Sequence, residues 1–530
     1  MKKLLLLTVV ALILGMALPF TATAQQANML RIPISADPEH LDPFRSTTTN
    51  TRAVIINTYE GLTTFDPETA TVIPALADSW DISEDGLVYT FHLKEGVLFQ
   101  DVASVTYDDR AVTAADWVWS MEMFLSGDEA ISTHADYLEA ILGAPEFTAG
   151  EADSVAGINV IDDYTLEITL AGPSHRFLYD LINVYVVPQE AYEQLGENFS
   201  NTPVGTGPFI FSEWLRDDHI TMLANPEYWE AGYPLVEELR FLNIPDDTNA
   251  ALMYREGEVD VLTSFPTGQR TLLAEEFAAD YVELPSLNVR YFGFDMSQGF
   301  FAENPLVRQA FAHAFNRDLV WNDLMEGARF PANMGVLPPS MPAADVSAVY
   351  DYDLDAAAAL LEEAGFPGGE GIPPIDLYVF ASAADELSLP VLQADLAQLG
   401  VTLNIVVEDN STYWGHIGED DVIMFLSGWS ADFSDPSEIF NFLFLDGRDD
   451  THYDNPVVNE MIRAATAITD DAERNALYLE IHELIMQDCP WIVSAYGKVA
   501  FLAQPWLDGL YASPAGIYRT PWKYVSINAM

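Results

Sequence analysis

The segment Gly428-Trp429-Ser430-Ala431-Asp432-Phe433-Ser434-Asp435-Pro436 follows the apolar run Val422-Ile423-Met424-Phe425-Leu426. An apolar run of that length bounded by turn residues reads as a buried strand, so its exit carries an indole and, three residues on, the carboxylate of Asp432. A carboxylate placed there loses solvation and needs a cation or several donors. The chain is short of cations, with 22 Lys+Arg against 82 Asp+Glu and a net charge of −60. The expectation is that a ligand amine supplies the missing partner.

Lys2-Lys3, the apolar run from Leu4 to Leu18, and Ala22-Thr23-Ala24 before Gln25 form a secretory signal over residues 1–24. Its core of about 15 apolar residues is too short to span a bilayer, which takes roughly 20. No cysteine follows it to carry a lipid. The expected location is therefore secreted, periplasmic and soluble. Cys489 is the one cysteine of 530 residues, so no intrachain disulfide is available. A chain this long should divide into two or three domains held by their cores. The charge excludes nucleic acid and anionic membrane surfaces as partners. After the signal, lysine occurs only at Lys94, Lys498 and Lys523. An acidic, salt-adapted surface explains this; steering of cationic solutes is the functional alternative.

The first third reads as β-rich. Leu87, Tyr89, Phe91 and Leu93 alternate, and Ile158 and Val160 face Leu166, Ile168 and Leu170 across Asp162-Asp163 as a hairpin. Thr113 to Asp116 forms a capping box before a helix through Trp117, Met121 and Phe124. Asn304-Pro305 opens another helix through Phe311. Further on, Ile375 to Phe380 reads as a strand, Leu389 to Leu399 as a helix stopped by Gly400, and Val401 to Val407 as a strand, a βαβ order that implies a mixed α/β lobe. Asp471 opens a long helix to Met486.

Catalytic and metal motifs fail on inspection. His482-Glu483-Leu484-Ile485-Met486 begins like a zinc-binding helix but lacks the second imidazole, and reads as the polar face of a packed helix. Asp351, Asp353, Asp355 and Glu362 have calcium-loop spacing, but Ala356 stands where glycine is needed, so Asp353 or Asp355 reads as a helix cap. Gly205-Thr206-Gly207-Pro208 lacks a third glycine and a following helix. No metal, cofactor or nucleophile is predicted.

A set of ordered landmarks remains: Leu41-Asp42-Pro43, Tyr59-Glu60-Gly61-Leu62, Ala75 to Trp80, Thr90 to Val97, Thr113 to Asp116, Gly205 to Phe209, Asn225 to Trp229, Gly257 to Asp260, Val307 to Ala310, Leu360 to Gly365 and Gly428 to Pro436. Along nearly the whole chain this order resembles the large solute-binding proteins of ABC importers, the oligopeptide, dipeptide and nickel-binding group. The resemblance implies an α/β fold of two hinged lobes around a central cleft, with a third region inserted. Lobe I would comprise residues 25–59, 187–285 and 501–530, the inserted region 60–186 and lobe II 286–500. It implies a monomer without catalytic activity that hands peptides or peptide-like solutes to permease transmembrane subunits.

By the same resemblance, Asp432 meets a ligand α-ammonium beside Trp429, and the backbone of Ser427, Gly428 and Ser430 pairs with ligand backbone. Thr47 to Thr49, Tyr137, Asn288 and Tyr496 fall near the cleft, although either tyrosine could be an ordinary core residue. Trp414, with Tyr413, either lines the far side of the pocket or packs in the core. Two departures stand out. Asn288 and Ser430 occupy positions that some relatives bridge by a disulfide, and no arginine precedes Gly428-Trp429 to meet a ligand carboxylate. Oligosaccharide binding, nickel chelates, a chemosensory or chaperone-like use, and an exported peptide or glycan hydrolase are the alternatives.

Overall fold

The computed structural model describes residues 28–528 apart from Thr47, 108–109, His175, Thr267, 347–349, 384–385, 420–421, Thr469 and 517–518. The expected signal and Thr47 lie outside the described residues. In chain order the elements that matter are β1 (Met29–Ile34), α1 (Thr49–Ile55), β2 (Ala77–Ile82), β3 (Val88–Leu93), α2 (Ala114–Phe124), β4 (Ile158–Asp162), β5 (Thr165–Thr169), β6 (Phe209–Leu215), β7 (His219–Ala224), β8 (Glu238–Asn243), β9 (Val261–Leu262) and β10 (Tyr281–Phe294). They continue with α3 (Pro305–His313), β11 (Phe330–Pro331), α4 (Leu354–Glu363), β12 (Ile375–Phe380), α5 (Ser388–Gln398), β13 (Leu403–Glu408), α6 (Asn410–His416), β14 (Met424–Ser430), α7 (Ser437–Leu443), α8 (Asp471–Asp488) and β15 (Trp491–Ala503).

Three sheets organise the chain. One runs β1-β8-β7-β6, with β1 parallel to β8 and the rest antiparallel; another, β2-β3-β5-β4, is antiparallel throughout and comes entirely from the 60–186 segment. The large sheet runs β9-β15-β10-β14-β12-β13, with β11 added on β15. Its β12-α5-β13 unit is parallel, as the alternation of strand and helix patterns predicts.

Local chemistry explains the helix starts. The Thr113 N–H donates to Asp116 Oδ2 at 2.8 Å, and Asp353, not Asp355, caps α4 by accepting from the Ala356 N–H at 2.9 Å. Pro305 occupies the first position of α3, where its missing N–H costs nothing. His482 departs from expectation: it is fully buried, not on a polar face. Its Nδ1 lies 2.9 Å from the Ala343 carbonyl and its Nε2 2.8 Å from the Val336 N–H, so the neutral ring donates to one end of the irregular segment between β11 and α4 and accepts from the other. Burial pushes its pKa down to about 4.

The cores follow the sheets. One apolar cluster joins the β1 sheet to the β2–β5 sheet, and two more cover opposite faces of the large sheet, with Tyr291, Trp429 and Tyr496 on one side and Phe292, Leu426 and Ala495 on the other. The long strands β10 and β15 are paired along most of their length, but between Pro285↔Lys498 and Val289↔Tyr496 three residues of β10 oppose the single Gly497. A Cβ at Gly497 would stand 2.2 Å from Ser286 Oγ and 2.7 Å from Asn288 Cβ, which accounts for the glycine. Before this bulge the strands run to β9. Next to β9, the buried Asp260 takes the Arg31 backbone N–H and guanidinium at 2.7 Å each, and so ties this end of the sheet to β1.

Candidate functional site

Asp432 does not wait for a ligand cation. Arg519 Nη2 lies 3.1 Å from Asp432 Oδ1 and Arg52 Nη1 lies 3.6 Å from the same oxygen, so two arginines from distant parts of the chain supply the charge expected from outside. Arg52 is carried by α1, whose start is capped by Thr48 accepting from the Thr51 N–H. The turn after α1 is held close to the Gly205-Gly207 turn: a Cβ at Gly205 would stand 2.2 Å from the Thr58 carbonyl oxygen. The Arg519 side chain is 7% exposed and its guanidinium lies 4.8 Å from the Phe65 ring centroid, within cation–π range.

The contacts leave groups unspent. Arg519 Nε and Trp429 Nε1 are buried with no acceptor. Both Asp432 contacts are to Oδ1; among the described residues Oδ2 accepts no hydrogen bond. Arg52 Nη2 also donates to the Tyr137 hydroxyl at 3.1 Å, and burial pushes the Tyr137 pKa up to about 12, keeping that hydroxyl neutral. Arg52 and Arg519 both line a cavity of about 210 Å³ floored by Glu60, Trp229 and Lys523. Glu60 is a satisfied structural acceptor there, taking bonds from Thr206, Tyr228 and Trp229.

A second bridge flanks Asp432. Arg176 Nε donates to Asp180 at 2.8 Å, and its Nη1 stands 3.8 Å from Glu438 on α7. The guanidinium lies 4.6 Å from the Phe442 ring centroid, and Tyr179 stacks on Phe433 at 4.3 Å. Burial, opposed by Arg176, pushes both Asp180 and Glu438 up to about 7, with Asp432 adding a like charge.

The predicted residues divide. Ser427, Gly428, Trp429 and Ser430 lie on β14, where Gly428 pairs with Arg290 and Ser430 with Asn288 of β10. β12 meets β14 only at Tyr378↔Phe425, so beyond Phe425 that edge of β14 has no strand partner among the described residues. Asn288 replaces the disulfide brace with a hydrogen bond, donating from Nδ2 to the Trp429 carbonyl at 3.0 Å. Trp429 stacks at 5.8 Å on Phe442. Tyr496 takes the core alternative: it is fully buried, donating to the Gly335 carbonyl at 2.7 Å and accepting from the Met334 N–H at 3.0 Å, so its hydroxyl is spent on the core. Thr49 also stands apart, exposed at the start of α1 beside a different cavity, shared with Thr263 and Ser264. Trp414 resolves toward the surface at 54% exposed, stacked at 5.5 Å on Phe380.

Four arginines were missed by sequence reading: Arg52, Arg176, Arg519 and Arg329. Arg290, beside Gly428, is matched by Glu386 at 3.1 Å; Arg329 instead donates to Asn288 Oδ1 at 2.6 Å and has no ion pair among the described residues. The signal that could have found them was scarcity, since in so acidic a chain each cation retained inside the fold is informative. Among the described residues no three His, Cys, Asp or Glu converge to hold a metal, and no helix is long and apolar enough to cross a membrane.

The mixed α/β body thus brings arginines from distant segments onto Asp432 beside a cavity, with unspent hydrogen-bonding groups around it, an arrangement suited to holding a polar solute. The family model for bacterial extracellular solute-binding proteins, family 5, matches residues 71–451, and the chain belongs to that family. It is 28% identical over 515 residues to the glutathione-binding protein GsiB of Escherichia coli K12, covering 94% of this chain and 95% of that one. The periplasmic binding protein DppA from Helicobacter pylori, in complex with the peptide STSA, superposes with a TM-score of 0.71 at 27% identity, covering 94% of this chain and 98% of its own. HbpA2 from Haemophilus parasuis shares the fold with a TM-score of 0.83 at 24% identity, covering 94% and 100%.

Proposed function

We propose that this protein is the capture component of an ABC importer, a periplasmic monomer that closes over short peptides or peptide-like solutes and delivers them unchanged to a permease. The observation that carries this reading is Asp432 at the exit of β14, facing Arg52 and Arg519 across a cleft, beside a strand edge free to pair with ligand backbone. Relatives with glutathione and a tetrapeptide in their names support the same class of cargo. Lobe I comprises residues 25–59, 187–285 and 501–530, lobe II residues 286–500, and the hinge is the bulge of β10 opposite Gly497. Arg329 is the cation for a ligand carboxylate, a role for which no arginine stands before Gly428. The exposed Trp414–Phe380 stack favours a sugar platform as the second reading.

The test is native mass spectrometry of the purified protein with a peptide library, alongside small-angle scattering. Retained intact peptides, a raised Tm and a smaller radius of gyration support capture. Peptide fragments indicate a hydrolase, and retention of oligosaccharides in place of peptides indicates the second reading.

A further inference from the structure

Arg176 reaches from the 60–186 segment onto α7. Glu438 and Phe442 stand four residues apart on that helix and so share one face of it. Arg176 meets both: its Nη1 lies 3.8 Å from Glu438 Oε2, and its guanidinium carbon lies 4.6 Å from the Phe442 ring centroid and 5.7 Å from that of Phe433. Its Nε stays with its own segment, donating to Asp180 at 2.8 Å. One cation thus pins the α7 face against the 60–186 segment. The residues read above as ligand contacts hang on the same face. Phe442 stacks on Trp429 at 5.8 Å with the ring planes 23° apart, and Glu438 accepts the backbone N–H of Asp432. Tyr179 stacks on Phe433, the residue after Asp432. Trp429 Nε1 is buried without an acceptor, and an indole only donates, so the pose of the ring decides which solute oxygen that N–H can meet. A ring stacked on a neighbour that a cation holds has fewer poses open to it.

We propose that Arg176 is a positioning residue for solute capture, setting the pose of Trp429 through Phe442 without touching the solute. This rests on the peptide-capture reading above and deepens it by giving the 60–186 segment a part in recognition. Only molecules with Trp429 correctly posed hold solute, so loosening the relay weakens capture by the fraction lost and shows chiefly as faster release.

The emission of Trp429, taken as the difference between each protein and the same protein carrying Trp429→Phe, reads the pose without any ligand. Arg176→Gln is expected to shift that emission to longer wavelength and to raise its quenching by acrylamide. Arg176→Lys, which keeps the charge near Glu438 but loses the planar face, should shift it part of the way, and decides the matter where Arg176→Gln fails to fold. Release of a mixed library of free-ended tri- and tetrapeptides, followed by native mass spectrometry after dilution, is expected to be about tenfold faster in Arg176→Gln. Phe442→Leu should reproduce both effects, and Arg176→Gln should add nothing to it. Unchanged Trp429 emission, unchanged release, or additive losses in the double variant overturns the inference while leaving peptide capture standing. Failure of the unmodified protein to hold any library peptide overturns both.

Discussion

Arg519 and Asp432, 87 residues apart in sequence, meet at 3.1 Å and join the C-terminal segment to the exit of β14. With Arg52 on α1 the contact spans the proposed lobes, so the carboxylate proposed to bind solute is also a tie between them. A ligand ammonium must share Asp432 with arginine, which makes affinity a difference between two charge-assisted contacts.

For this reason Asp432→Asn is expected to cost a ligand amine about 2 kcal/mol, the low end for breaking a charge pair, since Asp432 is 38% exposed. A double-mutant cycle of Asp432→Asn with Arg519→Gln, read by thermal unfolding without ligand, should show a favourable coupling of about 1–2 kcal/mol. Additive effects would mean that the pair does not act across the cleft.

Arg329→Gln should weaken binding of peptides with a free C-terminal carboxylate by about 1.5–3 kcal/mol, and leave their C-terminally amidated forms unchanged. Titration calorimetry on matched peptides measures it. Equal losses for both forms would assign Arg329 to holding Asn288 alone.

Asp180 and Glu438 are raised by burial to about 7, above the ordinary carboxylate range. Raised acids bind the proton more tightly when folded, so their contribution is complete below about pH 4 and is lost as pH rises through 7. Folding stability should therefore fall between about pH 4 and 7, even though ionisation strengthens the attraction of both carboxylates to Arg176. Tm over that range should fall less steeply in the Asp180→Asn, Glu438→Gln double variant than in the unmodified protein.

His482 has the opposite sign. Its folded value of about 4 lies below the ordinary 6.5, so stability is complete above pH 6.5 and is lost by about 3 kcal/mol as pH falls toward 4. His482→Gln should flatten this acid limb in a denaturant series. Gly335→Ala should destabilise at every pH by about 1–3 kcal/mol, because its Cβ would stand 2.2 Å from His482 Nε2 at a φ of +99°.

Much of the architecture was legible because it is written in short-range signals. The Thr113–Asp116 capping box, the Asn304-Pro305 start, the strand at Ile375 and the helix from Asp471 all appear where their residues place them. Asn288 and Ser430, matched by resemblance alone, are register partners between β10 and β14. Tyr496 took the core alternative and Thr49 lines a second cavity for a shared reason: proximity to a cleft strand or helix says nothing about where a hydroxyl points or whether backbone has already claimed it.

By itself the chain's order of residues determined its alternation of strands and helices, its lack of an intrachain disulfide and the strand that leads to Trp429 and Asp432, because periodicity, caps and composition act over a few residues. Which cation meets Asp432 was decided only in three dimensions. Arg52 and Arg519 reach it from α1 and from the C-terminal segment, and a Coulombic contact depends on distance in space, which no local pattern encodes.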